Sequence, residues 1–495
     1  MLREISTPEW VRHAVFYQIF PDRFASSNSV KKPTNLEPWG TPPTIYGFKG
    51  GDLVGIIEKL DYLLDLGINA IYLNPIFQSA SNHRYHTHDY FQIDPLLGGN
   101  KAFDALLKAA HQNGIRIILD GVFNHASRGF FQFNHILETG ASSPYLDWFT
   151  VKGFPLNAYG PGEPNYKCWI DLPALPEFNT QNPEVRSYIF DIARYWLEQG
   201  IDGWRLDVPF CIDEDAFWQE FRRVVKSANP EAYLVGEVPW EAQRWLQGDQ
   251  FDAVMNYQFT LACLGFFANK SLDKRMAEGV MGFSEVTIFD ASGFARRAEA
   301  LLNLYPAAIS QVQLNLLSSH DMPRFSSLCG YEKSSFRLAS LFQMTYPGAP
   351  CVYYGDEIGL QNGPTRTPED CRFAFPWNEA VWDHELLAYL KRCISIRNTY
   401  PALRSGEIHF LHAQDDILVF SRQLKEQILI IVINNSYREQ SIDCKFKTEI
   451  AGLKTGESIQ SLLTKSTAFI QPARISQVTI PARSGEIYLA QESSS

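Results

Sequence analysis

Short, nearly continuous apolar runs alternate with stretches of helical periodicity over most of the chain. Strands that are covered on both faces read as continuous apolar runs, and their alternation with helices is typical of parallel βα units. Eight such runs predict eight strands, at residues 15–19, 70–73, 116–119, 203–206, 233–235, 253–255, 313–317 and 351–354.

Helices with one apolar face are predicted between these strands. Apolar residues recur with a 3.6-residue period over 53–64, ahead of Gly67 as the C-terminal stop. A second stripe covers 185–196, where Asn182 and Pro183 provide the N-cap and the first helical position. Eight strands with intervening helices favour an α/β protein built on a closed (β/α)8 TIM barrel over an open sheet.

Two segments depart from this alternation. About 60 residues rich in Gly, Pro, Asn and aromatics follow the third strand, which is too long for a structureless loop and predicts an inserted subdomain. After about residue 400, short strands without helical periodicity predict a C-terminal all-β sandwich. The predicted division is the first part of the barrel at 1–120, the inserted subdomain at 121–180, the second part of the barrel at 181–400 and the sandwich at 401–495.

Composition narrows the class of protein. The chain is 45% hydrophobic and 20% charged, which predicts a folded protein with a sizeable core, and its net charge of −11 argues against nucleic acid or an anionic membrane as a partner. The longest aliphatic run, 428–433, is too short to span a membrane, and the N-terminus lacks the apolar segment of an export signal. Eight singly scattered cysteines indicate buried small apolar residues, and not a disulfide framework or a zinc site. These observations predict a cytoplasmic protein.

Aromatic residues make up 14% of the chain, with 34 Phe, 22 Tyr and 11 Trp. Most of them are expected to fill the core, and a minority is expected to line a cleft for a sugar ring.

Polar residues gather where four of the predicted strands end. The segments are DGVFNH at 120–125, GWRLD at 203–207, GE at 236–237 and SHD at 319–321. In a (β/α)8 barrel these positions converge on the catalytic face, and two histidines and an arginine have no role as helix caps. Retaining glycoside hydrolysis needs two carboxyl groups about 5–5.5 Å apart. Asp207 and Glu237 end adjacent strands and can meet this requirement.

These segments resemble, in order and position, the four motif regions of the α-amylase superfamily, glycoside hydrolase family 13. The resemblance extends to VFYQIFPDRF at 15–24, HRYHTHDYF at 83–91, LPEFN at 175–179 and TYPGAPCVYYGDEIGL at 345–360, and it covers about residues 12 to 490. It leans towards the neopullulanase, cyclomaltodextrinase and maltogenic amylase group.

The resemblance implies a catalytic role for three carboxylates. Asp207 is the implied nucleophile, Glu237 the general acid/base, and Asp321 the carboxylate that binds sugar hydroxyls. Arg205 lies on the same strand face as Asp207 and keeps it ionised. The implied substrate-binding residues are Tyr85, which stacks on the cleaved sugar, His125, Arg205, His320, Trp240 on the leaving-group side and Arg372.

Other positions are left between two interpretations. Asp120 and Asn124 are expected chiefly to hold the loop geometry around the site. Tyr166 and Trp169 in the insertion are candidates for the cleft or for the core.

Three departures from the family qualify the comparison. His86 stands where many relatives carry Asp, beside the cleaved sugar. The residues after the nucleophile, 208–211, lack the histidine of the usual calcium site, and 25–30 lacks carboxylates, so no metal ligands and no tightly held calcium are expected. The N-terminal domain by which this group often pairs subunits is not found ahead of the first strand, which leaves monomer or dimer undecided.

The sequence thus predicts a retaining hydrolase that cleaves α-1,4-glucosidic bonds, with α-1,6 branch points as a further target, in maltooligosaccharides, cyclodextrins or pullulan-type glucans. The expected partner is the α-glucan substrate, without nucleic acid, membrane or cofactor. Two alternatives remain open at this point. One is a transglycosylase or glucan isomerase on the same scaffold, and the other is a non-catalytic glucan-binding protein.

Overall fold

The computed structural model describes residues 5–278, 280, 285–365, 367–453 and 456–491. Its strands are β1 (Phe16–Ile19), β2 (Ala70–Leu73), β3 (Phe77–Ser79), β4 (Thr87–Ile93), β5 (Arg116–Gly121), β6 (Gly203–Leu206), β7 (Tyr233–Gly236), β8 (Ala253–Val254), β9 (Leu314–Leu316), β10 (Ala349–Tyr353), β11 (Glu407–Gln414), β12 (Ile417–Leu424), β13 (Gln427–Asn434), β14 (Gln440–Lys445), β15 (Glu457–Gln460), β16 (Thr467–Gln471), β17 (Arg474–Ile480) and β18 (Ser484–Gln491).

Eight of these strands form a parallel barrel in the order β8-β7-β6-β5-β2-β1-β10-β9. The barrel closes between its two end strands, where Met255 forms a parallel bridge with Leu314 and the Asn256 amide donates to the Leu314 carbonyl at 2.8 Å. All eight barrel strands overlap the predicted runs. Every residue of β1, β2, β6 and β7 is buried. The prediction of a (β/α)8 TIM barrel is confirmed.

The helices are α1 (Glu9–Arg12), α2 (Pro21–Phe24), α3 (Leu53–Ile57), α4 (Leu60–Leu66), α5 (Gly99–Gln112), α6 (Phe131–Thr139), α7 (Pro183–Glu198), α8 (Asp215–Ala228), α9 (Tyr257–Phe267), α10 (Lys274–Ala277), α11 (Ala291–Asn303), α12 (Ala307–Ser310), α13 (Phe325–Leu328), α14 (Lys333–Thr345), α15 (His384–Thr399) and α16 (Pro401–Ser405). None of the helices in the described ranges has both the length and the apolar character needed to cross a bilayer.

Local chemistry accounts for the helix ends. Asn182 accepts a hydrogen bond from the Glu184 amide and so caps α7, with Pro183 at its first position. Gly67 ends α4 at φ 89°, a left-handed conformation that favours glycine. The single helix predicted over 53–64 is instead two helices, α3 and α4. Between them Lys59 turns its ammonium over the Trp377 ring at 4.2 Å.

The segment after β5 is an inserted subdomain at the carboxyl end of the barrel strands, as predicted. It contains α6 and is joined by isolated bridges rather than by long strands. The bridge between His125 and Glu177 and the bridge between Phe149 and Phe178 tie its two ends together. The β3–β4 hairpin stands beside it and carries the histidine-rich segment 83–91.

The C-terminal domain is a sandwich of two four-stranded antiparallel sheets, in the orders β11-β12-β13-β18 and β14-β17-β16-β15. Val419 and Ile430 from the first sheet pack in one apolar cluster with Ile442 and Val478 from the second. The predicted all-β sandwich is confirmed. Within β14 only Ile442 is buried, so the apolar signal of this strand in the sequence is weak.

Two fully buried arginines lie where the barrel meets the sandwich. Arg397 on α15 donates to the carbonyls of Met344 and Leu403, each at 3.0 Å. Arg422 on β12 donates to the same Leu403 carbonyl at 2.8 Å and to the Gly406 carbonyl at 2.9 Å. No carboxylate in the described part of the chain pairs with either arginine, and burial lowers the pKa of Arg397 to about 9. Backbone carbonyls of α14 and α16 therefore hold both cations.

Candidate active site

The predicted nucleophile and general acid lie at the ends of neighbouring barrel strands. Backbone pairing continues one residue past each strand, because the Asp207 amide donates to the Gly121 carbonyl at 3.0 Å and the Glu237 amide donates to the Leu206 carbonyl at 2.9 Å. Both side chains are buried. The sheet backbone, rather than a mobile loop, thus fixes the two carboxyl groups.

The guanidinium of Arg205 lies between these two carboxyl groups and contacts both of them. Its Nη1 donates to Asp120 Oδ1 at 2.7 Å and to Asp207 Oδ1 at 2.8 Å. Its Nη2 lies 2.8 Å from Glu237 Oε1 but without the alignment of a hydrogen bond. Because a hydrogen-bonded cation favours the ionised form, this geometry favours a negative charge on Asp207 over one on Glu237.

Burial controls the protonation of the pair. Burial raises the pKa of Glu237 to about 7, against the opposing charge of Arg205. Burial also raises the pKa of Asp207 well above its usual range, and the charge of Arg205 opposes this shift as well. Two buried carboxyl groups beside one cation favour one shared proton, and the Arg205 hydrogen bond that Asp207 has and Glu237 lacks favours this proton on Glu237. A protonated acid beside an ionised carboxylate is the starting state of retaining glycoside hydrolysis.

We expect kcat/KM to fall about tenfold per pH unit above about pH 7, because Glu237 must carry its proton to act as an acid and loses it through that range. The measurement is a pH profile from 5 to 9 at constant ionic strength, with circular dichroism to show that the fold persists. Glu357→Gln is the matched control, since burial raises the pKa of Glu357 to about 7 as well. Two results would contradict Glu237 as the acid. One is a fall in kcat/KM that disappears in Glu357→Gln, and the other is a kcat/KM that stays level up to pH 9.

The third predicted carboxylate faces the cleft. The Asp321 side chain is 30% exposed, so a ligand can reach it. His320 Nε2 lies 2.8 Å from Asp321 Oδ2, and Arg372 Nη2 lies 3.2 Å from Asp321 Oδ1. Although burial opposes the shift, these two partners hold the pKa of Asp321 well below its usual range. Asp321 is therefore ionised, and its exposed part can accept hydrogen bonds from a ligand.

Hydrogen bonds set the tautomer of His320. The Gln18 side-chain amide donates to His320 Nδ1 at 2.9 Å, so Nδ1 is the acceptor and Nε2 carries the proton. That N–H points to Asp321 and to the Tyr85 hydroxyl, whose oxygen lies 2.6 Å away. Tyr85 in turn donates to Asp120 Oδ2 at 2.8 Å. The network locks the ring that is predicted to stack on the sugar.

Gln18 is a site residue that the sequence reasoning missed. It is a buried amide in the otherwise apolar strand β1, and it also donates to Asn74 Oδ1 at 3.0 Å. A polar residue that interrupts a buried strand needs a partner. In the sequence, the glutamine within this apolar run is the signal that indicates a site residue.

His125 offers an unpaired nitrogen at the site. Its ring is buried and lies against Trp169 at 5.3 Å between ring centroids. Burial lowers the pKa of His125 to about 3, so the ring is neutral. Its Nε2 has no partner within the part of the chain that the structure describes. A buried nitrogen in this state is suited to bind a substrate hydroxyl.

The remaining aromatic candidates differ in how far their rings are exposed. Trp240 is 44% exposed and packs on Phe210 at 4.7 Å between ring centroids, so the pair forms an open aromatic surface beside Glu237. Trp169 is half-buried against His125. Tyr166 is 1% exposed, and its hydroxyl donates to the Pro173 carbonyl within the insertion. Of the two positions left open for Tyr166, the structure shows the core, because packing inside the insertion covers its ring.

Two further predicted residues occupy supporting positions. Asp120 accepts from Arg205, Tyr85 and Tyr72, the last at 2.7 Å, which fits its expected role in holding the geometry. Arg372 donates to the His320 carbonyl at 2.8 Å as well as contacting Asp321. Its guanidinium is thus anchored behind the third carboxylate.

Asn124 and His86 lie in the walls of the same site. Asn124 is buried. Its backbone carbonyl accepts a hydrogen bond from the Phe178 backbone amide at 3.0 Å, which ties the loop after β5 to the end of the insertion. His86 packs edge-on against His83 at 5.1 Å between ring centroids. Burial lowers the pKa of His86 to about 4, so this departure from the family adds a neutral ring in place of a carboxylate.

No group of three or more His, Cys, Asp or Glu side chains that could hold a metal ion occurs within residues 5–278, 280, 285–365, 367–453 and 456–491. Lys32 follows the segment 25–30, which is predicted to lack calcium ligands, and its ammonium contacts neighbouring oxygen atoms. Lys32 Nζ donates to the Gly50 carbonyl at 2.7 Å and also contacts the Asp52 carboxylate. Asp52 Oδ2 additionally accepts from the Ser27 amide at 2.9 Å.

Comparison with known proteins places this geometry in a family. Residues 18–385 match the family described as alpha amylase, catalytic domain, and residues 406–488 match the alpha-amylase C-terminal domain. The chain is 43% identical to a cyclomaltodextrinase of Geobacillus thermopakistaniensis over 91% of its own length and 74% of the relative's. It is 40% identical to an intracellular maltogenic amylase of Bacillus subtilis over 88% and 72%. Among solved structures, a debranching enzyme of Nostoc punctiforme superposes with a TM-score of 0.87 at 47% identity, covering 98% of this chain and 100% of that one.

Proposed function

The chain belongs to the α-amylase family of glycoside hydrolases, and from this premise we propose that its site cleaves α-glucosidic bonds in glucans with retention of configuration. The observation that carries the proposal is the Arg205 guanidinium, which contacts both Asp207 and Glu237 at 2.8 Å but, of these two, hydrogen-bonds only Asp207. This asymmetry supplies one ionised and one protonated carboxyl group on adjacent strands.

The reaction then proceeds in two displacements. Asp207 attacks the anomeric carbon while Glu237 gives its proton to the departing glycosidic oxygen, so that a covalent glycosyl-enzyme forms and the leaving sugar chain departs neutral. Glu237, now ionised, takes a proton from water as the water oxygen attacks the same carbon and releases Asp207. Asp321, His320 and His125 hold the sugar hydroxyls during both steps.

The proposed substrates are maltooligosaccharides, cyclodextrins and pullulan-type glucans, with both α-1,4 and α-1,6 bonds as targets. The names of similar proteins, a cyclomaltodextrinase and a debranching enzyme, support this range. The test is a reducing-sugar assay with each substrate, followed by chromatography of the products and polarimetry of the newly formed end. Release of α-configured products supports the proposal. No release from any of the substrates would favour a glucan-binding protein without catalysis.

Transfer to a sugar acceptor is a second candidate activity. The open Phe210–Trp240 surface, with its rings 4.7 Å apart, supports it because apolar rings beside Glu237 favour a sugar over water as the acceptor. Chromatography at high maltooligosaccharide concentration separates the two activities, since products longer than the substrate require transfer.

We further propose that the protein holds no tightly bound calcium. The Lys32 ammonium contacts the Gly50 carbonyl and the Asp52 carboxylate, which are oxygen ligands of the kind that a hard cation prefers. We expect metal analysis after extensive dialysis to find less than one calcium per chain, and we expect a chelator to leave the melting temperature unchanged. One calcium per chain together with a lower melting temperature in chelator would contradict this proposal.

A cytoplasmic location is proposed as well. A similar protein named an intracellular maltogenic amylase supports it, as do eight cysteines that are all free thiols. The number of subunits is best measured directly, by light scattering at assay concentration.

A further inference from the structure

A row of alternating buried charges leads from the cleft into the core. Arg372 Nη2 lies 3.2 Å from Asp321 Oδ1, and Arg372 Nη1 lies 3.0 Å from Glu369 Oε1. Glu369 Oε2 lies 3.1 Å from Arg23 Nη2, and Arg23 Nε lies 3.1 Å from Asp22 Oδ2. From Asp321 inwards the side chains are 30%, 11%, 5%, 0% and 0% exposed. The row therefore becomes fully desolvated before it ends.

Glu369 is the one anion in this row that bridges two guanidinium groups. Each of its oxygens takes a different arginine, and the side chain is held in the short helical turn Pro368–Cys371. It does not contact Asp321 directly. Without Glu369, the guanidinium groups of Arg372 and Arg23 would face each other with no shared anion. Like charges in a buried place repel strongly, so removal of Glu369 would displace them.

The far end of the row is built into the backbone. Asp22 accepts from the amides of Lys49 and Gly50, at 2.9 Å and 3.1 Å. Arg23 lies on α2, directly after β1, and it is 346 residues away from Glu369 in sequence. The row thus fastens the segment after β10 to the segment after β1, at the catalytic face of the barrel.

We propose that Glu369 is a positioning residue for the glycosidase reaction, which sets the direction of Asp321 by fixing the guanidinium of Arg372. The proposal rests on the proposed function, because Asp321 must bind the reacting sugar for its direction to matter. Small errors in the placement of such a group cost activity steeply, since the hydrogen bonds that it makes are needed in the transition state.

The experiment compares Glu369→Gln with the native enzyme on maltooligosaccharides. We expect kcat to fall about thirtyfold while KM changes less than about threefold, because the substrate-contacting groups all remain and only the direction of Asp321 is altered. Glu369→Asp keeps the charge, and we expect it to recover a larger share of kcat than Glu369→Gln does. A purely structural role would lower the melting temperature and leave the kcat of the folded fraction unchanged.

Glu486→Gln is the matched control. Glu486 is also a buried glutamate, but it accepts hydrogen bonds from hydroxyl groups instead of arginines and lies in the sandwich. We expect its kcat to equal that of the native enzyme. If Glu369→Gln does not fold, Arg23→Met/Glu369→Gln removes one cation with the anion and keeps the net charge, and the same loss of kcat is expected. Native kcat in either folded variant overturns the proposal. Absence of activity in the native enzyme would instead overturn the proposed function.

Discussion

Replacement of Asp207 by asparagine is expected to lower kcat at least about 10⁴-fold, because the amide cannot form the covalent glycosyl-enzyme on which the first displacement depends. The fold is expected to survive. Arg205 keeps its hydrogen bond and ion pair with Asp120 at 2.7 Å, so the guanidinium is not left without a counter-charge. The measurement is the rate of reducing-sugar release at saturating maltooligosaccharide, with the melting temperature recorded beside it.

Asp202→Asn provides the matched control for this variant. Asp202 is a buried aspartate at the other end of the same strand, where it pairs with Arg116 at 2.7 Å. We expect it to lose stability and to keep its kcat. An Asp207→Asn enzyme that is folded and retains more than about a tenth of native activity would refute the assignment of the nucleophile.

Replacement of Glu237 by glutamine is expected to separate the two displacements. General acid catalysis contributes about 10²–10⁴-fold, so cleavage of maltooligosaccharides is expected to fall by that amount. A maltosyl fluoride needs no proton to leave, and its first displacement is expected to remain fast. The second displacement lacks its base, so fluoride release is expected as a burst of one equivalent per enzyme followed by a slow phase.

The burst is measured by fluoride release at high enzyme concentration and by mass spectrometry of the trapped protein. A small anionic nucleophile such as azide needs no base, and we expect it to restore turnover with retained configuration. The Glu357→Gln variant should behave as the native enzyme does. If Glu237→Gln slowed the fluoride and the oligosaccharide equally, the general acid would have to be sought elsewhere.

The barrel was predictable because its strands are short and largely apolar and because chemistry-bearing residues follow them directly. The placement of Asp207 and Glu237 at the ends of adjacent strands was predictable in this way, since a (β/α)8 barrel gathers the carboxyl ends of its strands on one face. The location of the insertion followed from loop length alone. These conclusions need only the order of residues along the chain.

The rest depends on contacts between segments that lie far apart in sequence. The ring of Tyr166 is covered by Phe133 at 4.9 Å, and nothing in the local sequence distinguishes it from an open platform. Phe210 and Trp240 become one surface only through the packing of two loops. Glu369 pairs with Arg23, which lies 346 residues away in sequence, and no hydrophobic periodicity indicates such a pairing.

The buried arginines between barrel and sandwich have a consequence for how the protein is made. A ribosome completes the barrel before the sandwich, since synthesis runs from the N-terminus and domains generally fold in that order. Here, however, the Thr345 and Leu403 carbonyls accept from Arg422, which lies on the second sandwich strand. Until β12 has left the ribosome, these carbonyls at the C-terminal ends of α14 and α16 lack this donor. The nascent barrel therefore lacks the donor Arg422 until β12 has emerged from the ribosome, which requires synthesis to run beyond residue 424.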